Sequence, residues 1–323
     1  MCTCLSLKTK DHYFGRNLDL EYRFDEKVVI TPRNYEFILK NGQKIYTKYA
    51  IIGMANVKDN YPLYAEASNE QGLSIAGLYF PKNAYYFNPK EDKLSLTPYE
   101  LIPYFLGLFG SIKEMKESLK KLIITNIPYQ NLPLASLHFM ISDQEECLVL
   151  EQTKDGLKIY ENPVGVLTNN PPFDYQMTNL INYRNLSSHY ELSRFSDKIN
   201  LEQYCNGMGA IGLPGDNSSS SRFVRATFNK LNLITKDDEE SSVTNFFHIL
   251  DSVSMISGTT LTKEGKSDIT IYSSCINTDK GIYYYKTYTN SQITAIKMND
   301  ENKNSSNLTI FNLIEKNQIN YLN

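Results

Sequence analysis

The apolar and polar positions divide the chain into strand-like ends around a helical middle. At the start, Leu5 and Leu7 alternate with polar residues after Met1-Cys2-Thr3-Cys4, the period-two pattern of a strand. A strand that begins in the interior is unusual for a chain end, which ordinarily frays. A turn leads to a second strand carrying Phe14-Gly15-Arg16-Asn17-Leu18-Asp19. Lys27-Val28-Val29-Ile30-Thr31 predicts a buried strand stopped by Pro32. Stretches 49–57 and 72–80, rich in Ile, Ala and Gly, predict two more. Between them, Asp59-Asn60-Tyr61-Pro62 reads as a turn-forming loop.

Thr97-Pro98-Tyr99-Glu100 predicts a helix start, with threonine as cap, proline in the first turn and Glu100 completing a capping box. That helix runs to about Gly110. Ser111-Ile112-Lys113-Glu114 repeats the box and opens a second helix to about Leu122. Residues 137–142, 147–152, 157–160 and 164–168 read as strands between polar turns. Helical spacing returns at 175–186, 222–233 and 243–254. Residues 268–298 predict a three-stranded meander that turns once at Asp279-Lys280-Gly281. The Asn-rich stretch 299–307 reads as a loop, and 308–313 as a last strand. No internal repeat and no biased linker divides the chain, so residues 1–323 are expected to form one domain. Strands first, paired helices between and strands last predict a layered α+β architecture rather than a parallel βαβ array.

Composition narrows the classes. With 41% hydrophobic and 21% charged residues in 323, a sizeable core is expected and wholesale disorder is not. A net charge of −3 with no basic tract gives nucleic-acid binding no electrostatic support. No stretch approaches the ~18 apolar residues of a membrane span, and no basic region precedes an apolar export signal, so a cytoplasmic protein off the membrane is expected. The five cysteines (Cys2, Cys4, Cys147, Cys205, Cys275) are an odd number at irregular spacings. They form neither a disulfide framework nor a zinc site. The four histidines (His12, His138, His189, His248) make no spaced metal set either, and His138 and His248, in apolar stretches, read as core or sub-surface residues. The serine run 218–221 lacks the Gly-x-Ser-x-Gly frame of a nucleophile elbow. No metal or cofactor is expected.

The candidate chemistry lies at the start. If Met1 is removed, Cys2 carries a thiol and a free α-amine on one residue. An α-amine titrates near pH ~8 and a thiol near ~8.5, so one residue can supply both nucleophile and base. Arg16 and Asp19 provide the charges such a site needs: a cation favours the thiolate, and a carboxylate orients the amine. Taken singly, each has an ordinary reading. A cysteine at position 2 is often incidental, Arg16 fits a strand surface, Asp19 fits a strand edge, and Arg222 after a serine run fits a helix start.

Met-Cys-Thr at the start, Phe-Gly-Arg-Asn-Leu-Asp at 14–19, Leu-Thr-Asn-Asn-Pro at 167–171, and Gly-Leu-Pro-Gly-Asp at 212–216 followed by Ser221-Arg222-Phe223 resemble the choloylglycine hydrolase family. The motifs occur in family order, and the resemblance covers nearly the whole chain. That family holds conjugated bile salt hydrolases and penicillin V acylases, both N-terminal-nucleophile amidases. The resemblance implies a four-layer αββα fold, a homotetramer, and a small N-acyl amide as substrate. It also implies roles: Cys2 as nucleophile, Arg16 against its sulfur, Asp19 on its amine, Asn169 as a side-chain oxyanion donor, and Arg222 in the same cluster. Tyr79, in Gly77-Leu78-Tyr79-Phe80, would give its backbone N–H as the second oxyanion donor. Bile salt hydrolases usually carry Asn there and penicillin V acylases Tyr, so this side chain favours a phenoxyacetyl group while the rest of the chain looks closer to the bile-salt enzymes. Leu20, Phe24, Leu132 and Leu134 lie in segments that form site loops in relatives and are candidate acyl-pocket residues, or simply loop hydrophobes.

Overall fold

The computed structural model describes all residues 1–323. Two antiparallel sheets lie face to face. The six-stranded sheet runs, edge to edge, Val166–Leu167, Cys2–Lys8, His12–Leu20, Ile269–Asn277, Ile282–Thr287, Asn290–Lys297. The eight-stranded sheet runs Gly156–Glu161, Cys147–Thr153, Leu137–Ser142, Ser74–Tyr79, Tyr61–Asn69, Ile51–Lys58, Lys27–Thr31, Thr309–Asn312.

Three apolar clusters fix the layers. Val28, Ile30, Ile52 and Met54 of the larger sheet pack on Leu18, Ile271, Tyr272 and Tyr283 of the smaller one. Outside the larger sheet, Leu101, Phe105, Ile112 and Met115 from helices Leu101–Leu108 and Ile112–Lys121 cover Ile51, Ala67 and Ile75. On the smaller sheet, Phe223, Phe246 and Leu250 of helices Ser219–Leu231 and Glu239–Asp251 join the cluster that holds Leu5, Leu7 and Phe14. The order is helix, sheet, sheet, helix: the αββα sandwich. Because the smaller sheet is covered on both faces, all of Cys2–Leu7 is buried. No helix is long and apolar enough to cross a membrane.

Gly15 sits where two strands close in. A Cβ there would stand 2.1 Å from the Ser274 carbonyl oxygen, so only glycine fits.

Several expectations shift. Asp59 and Asn60 do turn the chain, at φ 50° and 59°, but Tyr61 and Pro62 open a nine-residue strand, Tyr61–Asn69, rather than a loop. Thr97–Glu100 forms a turn ahead of a helix that starts at Leu101. Glu100 Oε2 accepts the Thr97 N–H at 2.8 Å, yet the Thr97 hydroxyl has no partner, so only half the capping box forms. Helix Ser219–Leu231 begins three residues before Arg222, because Ser218 caps it by accepting from Ser221 N–H. Residues 299–307 contain a short helix, Asp300–Lys303, capped reciprocally by Asn299 and Asn302. His138 is fully buried, whereas His248 is exposed on its helix.

Candidate active site

Strand alternation distributes the candidate residues over the two faces of the Cys2 sheet. Cys2 pairs with Leu18 and Cys4 with Arg16, so these four side chains point into the space between the sheets. Thr3 and Asn17 point the other way, toward the helices, and so does Asp19.

On the inter-sheet face, the Arg16 guanidinium enters the seam where two strands of the larger sheet part. Tyr61–Asn69 and Ser74–Tyr79 stay paired only as far as Glu66 and Ala76. Beyond that point Arg16 Nη1 donates to the carbonyls of Gly77 at 2.5 Å and Ala65 at 3.2 Å. Burial works to lower the pKa of Arg16. The nearby Cys2 thiol, Tyr272 and Glu66 outweigh it and hold the guanidinium above its ordinary range, so a full positive charge faces Cys2. Glu66, with Nε of Arg16 3.9 Å away, accepts from Tyr272 Oη, Ser274 Oγ and Tyr283 Oη at 2.7, 3.0 and 2.6 Å. Burial pushes Glu66 up, and Arg16 with the three hydroxyls pulls it back. Cys4 shares the face, but burial lifts its thiol well above the usual range against the pull of Arg16, so it is a packed thiol rather than a second nucleophile.

From the helix side, Arg222 binds four acceptors. Nη1 donates to the Cys2 carbonyl and to Thr3 Oγ1, both at 2.6 Å, Nη2 to Asn169 Oδ1 at 2.9 Å, and Nε to the Asn217 carbonyl at 3.1 Å. Burial lowers its pKa, with Asp19 and Cys2 opposing. Asp19 Oδ2 lies 4.0 Å from Nη1 of Arg222 and has no hydrogen-bond partner, although it is buried. Its Oδ1 accepts the Thr270 hydroxyl at 2.6 Å. The ammonium of Met1 bonds to the Asp19 carbonyl, and the Asp19 N–H returns a bond to the Met1 carbonyl at 2.8 Å.

Asn169 joins the two faces. Its Oδ1 accepts the Cys2 N–H at 2.8 Å and Arg222 Nη2, both obligate donors, which orients Nδ2 toward the Tyr79 carbonyl at 2.7 Å. One Nδ2 hydrogen is left for a further acceptor. Ser219 Oγ takes the Asn169 N–H at 2.8 Å and donates to Thr168 Oγ1 at 2.9 Å. Phe80 N–H donates to the carbonyl of Ser136, just ahead of the neighbouring strand Leu137–Ser142. Antiparallel alternation therefore turns the Tyr79 N–H toward the opposite edge, the one opened where the strands part. The Tyr79 ring itself is 48% exposed.

Cys2, Arg16, Asp19, Asn169 and Arg222 thus converge, and Tyr79 meets them through its backbone. The four apolar candidates do not form one cluster. Leu20 and Phe24 are half-buried against the inter-sheet core, Leu132 is exposed, and Leu134 is half-buried in the loop ahead of Leu137. A cavity of about 460 Å³ lies at the far end of the Cys2–Lys8 strand, around Ser6, Lys8, His12 and Lys230. Several of its polar groups already bond to one another or to backbone, as Lys8 does to the Gln144 carbonyl and Lys230 to that of Val164. Sequence reasoning missed Glu66, Thr270 and Ser219. The one available signal was Glu66, a lone carboxylate between small residues in Ala65-Glu66-Ala67.

The model of the linear amide C–N hydrolases of the choloylglycine hydrolase family matches residues 2–311. A bile salt hydrolase/transferase of Lactiplantibacillus plantarum is 48% identical over 314 residues, 97% of each chain. The solved structure of the C2A mutant of a conjugated bile acid hydrolase from Clostridium perfringens superposes with a TM-score of 0.93 at 41% identity, covering both chains fully. A penicillin V acylase from Agrobacterium tumefaciens shares the fold at a TM-score of 0.78 and 20% identity, over 96% of this chain and 91% of its own.

Proposed function

The chain belongs to the choloylglycine hydrolase family of linear amide C–N hydrolases, and from that premise we propose that it deconjugates glycine- and taurine-conjugated bile salts through Cys2. The observation that carries the reading is the Cys2 nitrogen. It is held by Asn169 Oδ1 at 2.8 Å inside the sheet, and the Arg222 that grips the Cys2 carbonyl stands 4.0 Å from a buried Asp19 oxygen that lacks a partner. Removal of Met1 turns that nitrogen from a peptide N–H into an amine with lone pair and protons to exchange. Asp19 then has a charged donor to receive, and the amine can take the proton of the thiol on its own side chain.

The Cys2 sulfur attacks the amide carbonyl. Charge builds on the carbonyl oxygen, which accepts hydrogen bonds from the free Nδ2 hydrogen of Asn169 and the Tyr79 N–H; one such donor is typically worth ~10²–10³ in rate. The Cys2 amine passes its proton to the leaving glycine or taurine nitrogen, and the C–N bond breaks. Water then attacks the thioester, releasing the bile acid and restoring the thiol. Arg16 keeps a positive charge beside the sulfur, and Arg222 holds the Cys2 carbonyl and Asn169 in one rigid frame. Leu20, Phe24, Leu132 and Leu134 are proposed as separate apolar contacts for the acyl group.

A second reading has one observation in its favour. The half-exposed Tyr79 ring stands at the site's edge, where it can stack on a phenoxyacetyl group. Amine release from glycocholate, taurocholate and penicillin V, run side by side, separates the two: turnover of penicillin V alone overturns the bile-salt assignment. Assembly as a homotetramer belongs to the same proposal. The largely irregular stretch 180–211 leaves Leu192, Phe195 and Tyr204 each at least 80% exposed, an apolar surface suited to subunit contacts. Sedimentation at a mass other than four chains would contradict it. Action in the cytoplasm is proposed as well, in keeping with five unpaired cysteines.

A further inference from the structure

Asn169 sits in a six-residue turn, Thr168 to Phe173, and one buried pair of side chains holds both ends of it. His138 and Glu151 face each other on adjacent strands, one step beyond the register that pairs Phe139 with Leu150. Both are fully buried. His138 Nδ1 lies 2.9 Å from Glu151 Oε1, and Nε2 lies 3.0 Å from the Thr168 carbonyl oxygen. Glu151 Oε1 also accepts the Phe173 N–H at 3.0 Å. Phe80, the residue after Tyr79, stacks on the imidazole with centroids 4.3 Å apart and planes 5° from parallel.

We propose that His138 and Glu151, braced by Phe80, are positioning residues for the amidase reaction: they fix the Thr168–Phe173 turn so that the Asn169 amide stays against the Tyr79 peptide. The proposal rests on the reading of Asn169 and Tyr79 as the oxyanion donors. The pair reaches both. It grips the turn one residue before Asn169, and it is stacked on by the residue after Tyr79.

Hydrogen-bond accounting shows how the clamp works. A carbonyl oxygen only accepts, so His138 Nε2 carries a proton. A second proton lies between Nδ1 and Glu151, and the two side chains form a neutral unit whichever of them holds it. Stability alone does not account for such a unit. Glu151 Oε2 is buried with no partner, and apolar residues of similar volume generally serve a buried site as well as or better than an ion pair. What the polar pair supplies is direction: two fixed bonds, five residues apart in sequence, across one functional turn.

The test uses the full chain after loss of Met1. The double variant His138→Leu/Glu151→Leu keeps volume and leaves no buried charge. It is expected to melt somewhat below wild type, because the Phe173 N–H and the Thr168 carbonyl lose their partners, and to keep its KM for glycocholate, while kcat falls about 10–100-fold, as removal of supporting partners does elsewhere. Glu151→Gln keeps the Phe173 N–H bond at its amide oxygen, but because Oε1 also meets His138 Nδ1, a neutral His138 then donates from Nδ1 or from Nε2 and not from both; one grip is lost, and kcat is expected to fall between wild type and the double variant. An unchanged kcat in the double variant, or a loss that appears in KM alone, overturns the proposal. If the double variant does not fold, Phe80→Leu decides: it leaves the pair intact, removes the stacked ring, and is expected to lower kcat about three- to tenfold at constant KM, and an unchanged kcat again overturns it. Asn169→Ala, measured in parallel, separates the two readings. No loss in Asn169→Ala refutes the oxyanion assignment. A loss there without one in the clamp variants refutes only the positioning. In the Asn169→Ala background the double substitution is expected to cost less than about threefold more, because the side chain it acts through is gone.

Discussion

Replacing Thr270 by valine removes one oxygen and should be felt in both stability and catalysis. The Thr270 hydroxyl accepts the Met255 N–H at 2.7 Å. A backbone N–H can only donate, so the hydroxyl proton goes to Asp19 Oδ1, at 2.6 Å. Thr270 is 5% exposed and Asp19 fully buried, so water does not readily replace either bond. A hydrogen bond to a charged group contributes about 1.5–3 kcal/mol, and leaving a buried donor unmet costs about 1–3 kcal/mol. Valine keeps the shape, and the two losses meet at one atom and partly relax together. We expect about 3 kcal/mol of destabilisation, read as a lower urea midpoint at unchanged m-value. Asp19 then keeps only the distant Arg222 charge and is free to turn from the Cys2 nitrogen, so kcat for glycine release falls as well. Thr270→Ser is the control. It retains both bonds and loses one methyl, worth about 1 kcal/mol. A valine variant that matches the serine variant in stability and kcat would refute the role assigned to this hydroxyl.

Other outcomes follow from the same geometry. Cys2→Ala should abolish amine release while leaving the circular dichroism spectrum and melting temperature near wild type; residual turnover near wild type would sink the nucleophile assignment. Arg222→Lys offers one ammonium where four acceptors now share a planar fork, so kcat should drop at least about 100-fold, checked by amine release under saturating substrate. Burial depresses His12 from 6.5 to about 4, and Ser6, Ser142 and Thr278 hydroxyls surround its ring. A histidine kept neutral in the fold stabilises above the unfolded pKa, and that contribution of about 3 kcal/mol drains away as pH falls from 6.5 toward 4. Urea midpoints of wild type and His12→Gln should therefore converge at low pH. Gly15→Ala should give little soluble protein, since the added carbon meets the backbone of the neighbouring strand; normal yield and melting would contradict that contact.

Much of this was legible in the sequence because it was written locally. The strands at 27–31, 137–142 and 269–297 announce themselves by apolar runs between turn residues, and the αββα order follows once the family motifs are seen. Tyr61–Asn69 was hidden because Asp-Asn-Tyr-Pro reads as four turn residues, whereas two suffice when Asp59 and Asn60 both take positive φ. Glu100 was misjudged for a related reason: the carboxylate bonds back to Thr97, but the chain delays the helix by a turn. Cys2, Arg16, Asp19, Asn169 and Arg222 were found through motifs rather than through any pattern that shows them touching. Their supports, Glu66, Thr270, Ser219 and the His138–Glu151 pair, come from strands and a helix end far apart in sequence. Each alone is an ordinary polar residue, and only pairing of the strands gives it a partner.

If the free α-amine and thiol of Cys2 together cleave the amide of a conjugated bile salt, the state of Met1 decides activity. The most direct test is glycine release from glycocholate by two forms of the reduced protein, distinguished by intact mass: one that has lost Met1 and one that retains it. Steady turnover is expected from the first and none from the second, because a peptide nitrogen cannot serve as base. Equal turnover by both forms, or silence of the processed form on glycocholate and taurocholate alike, would contradict this reading.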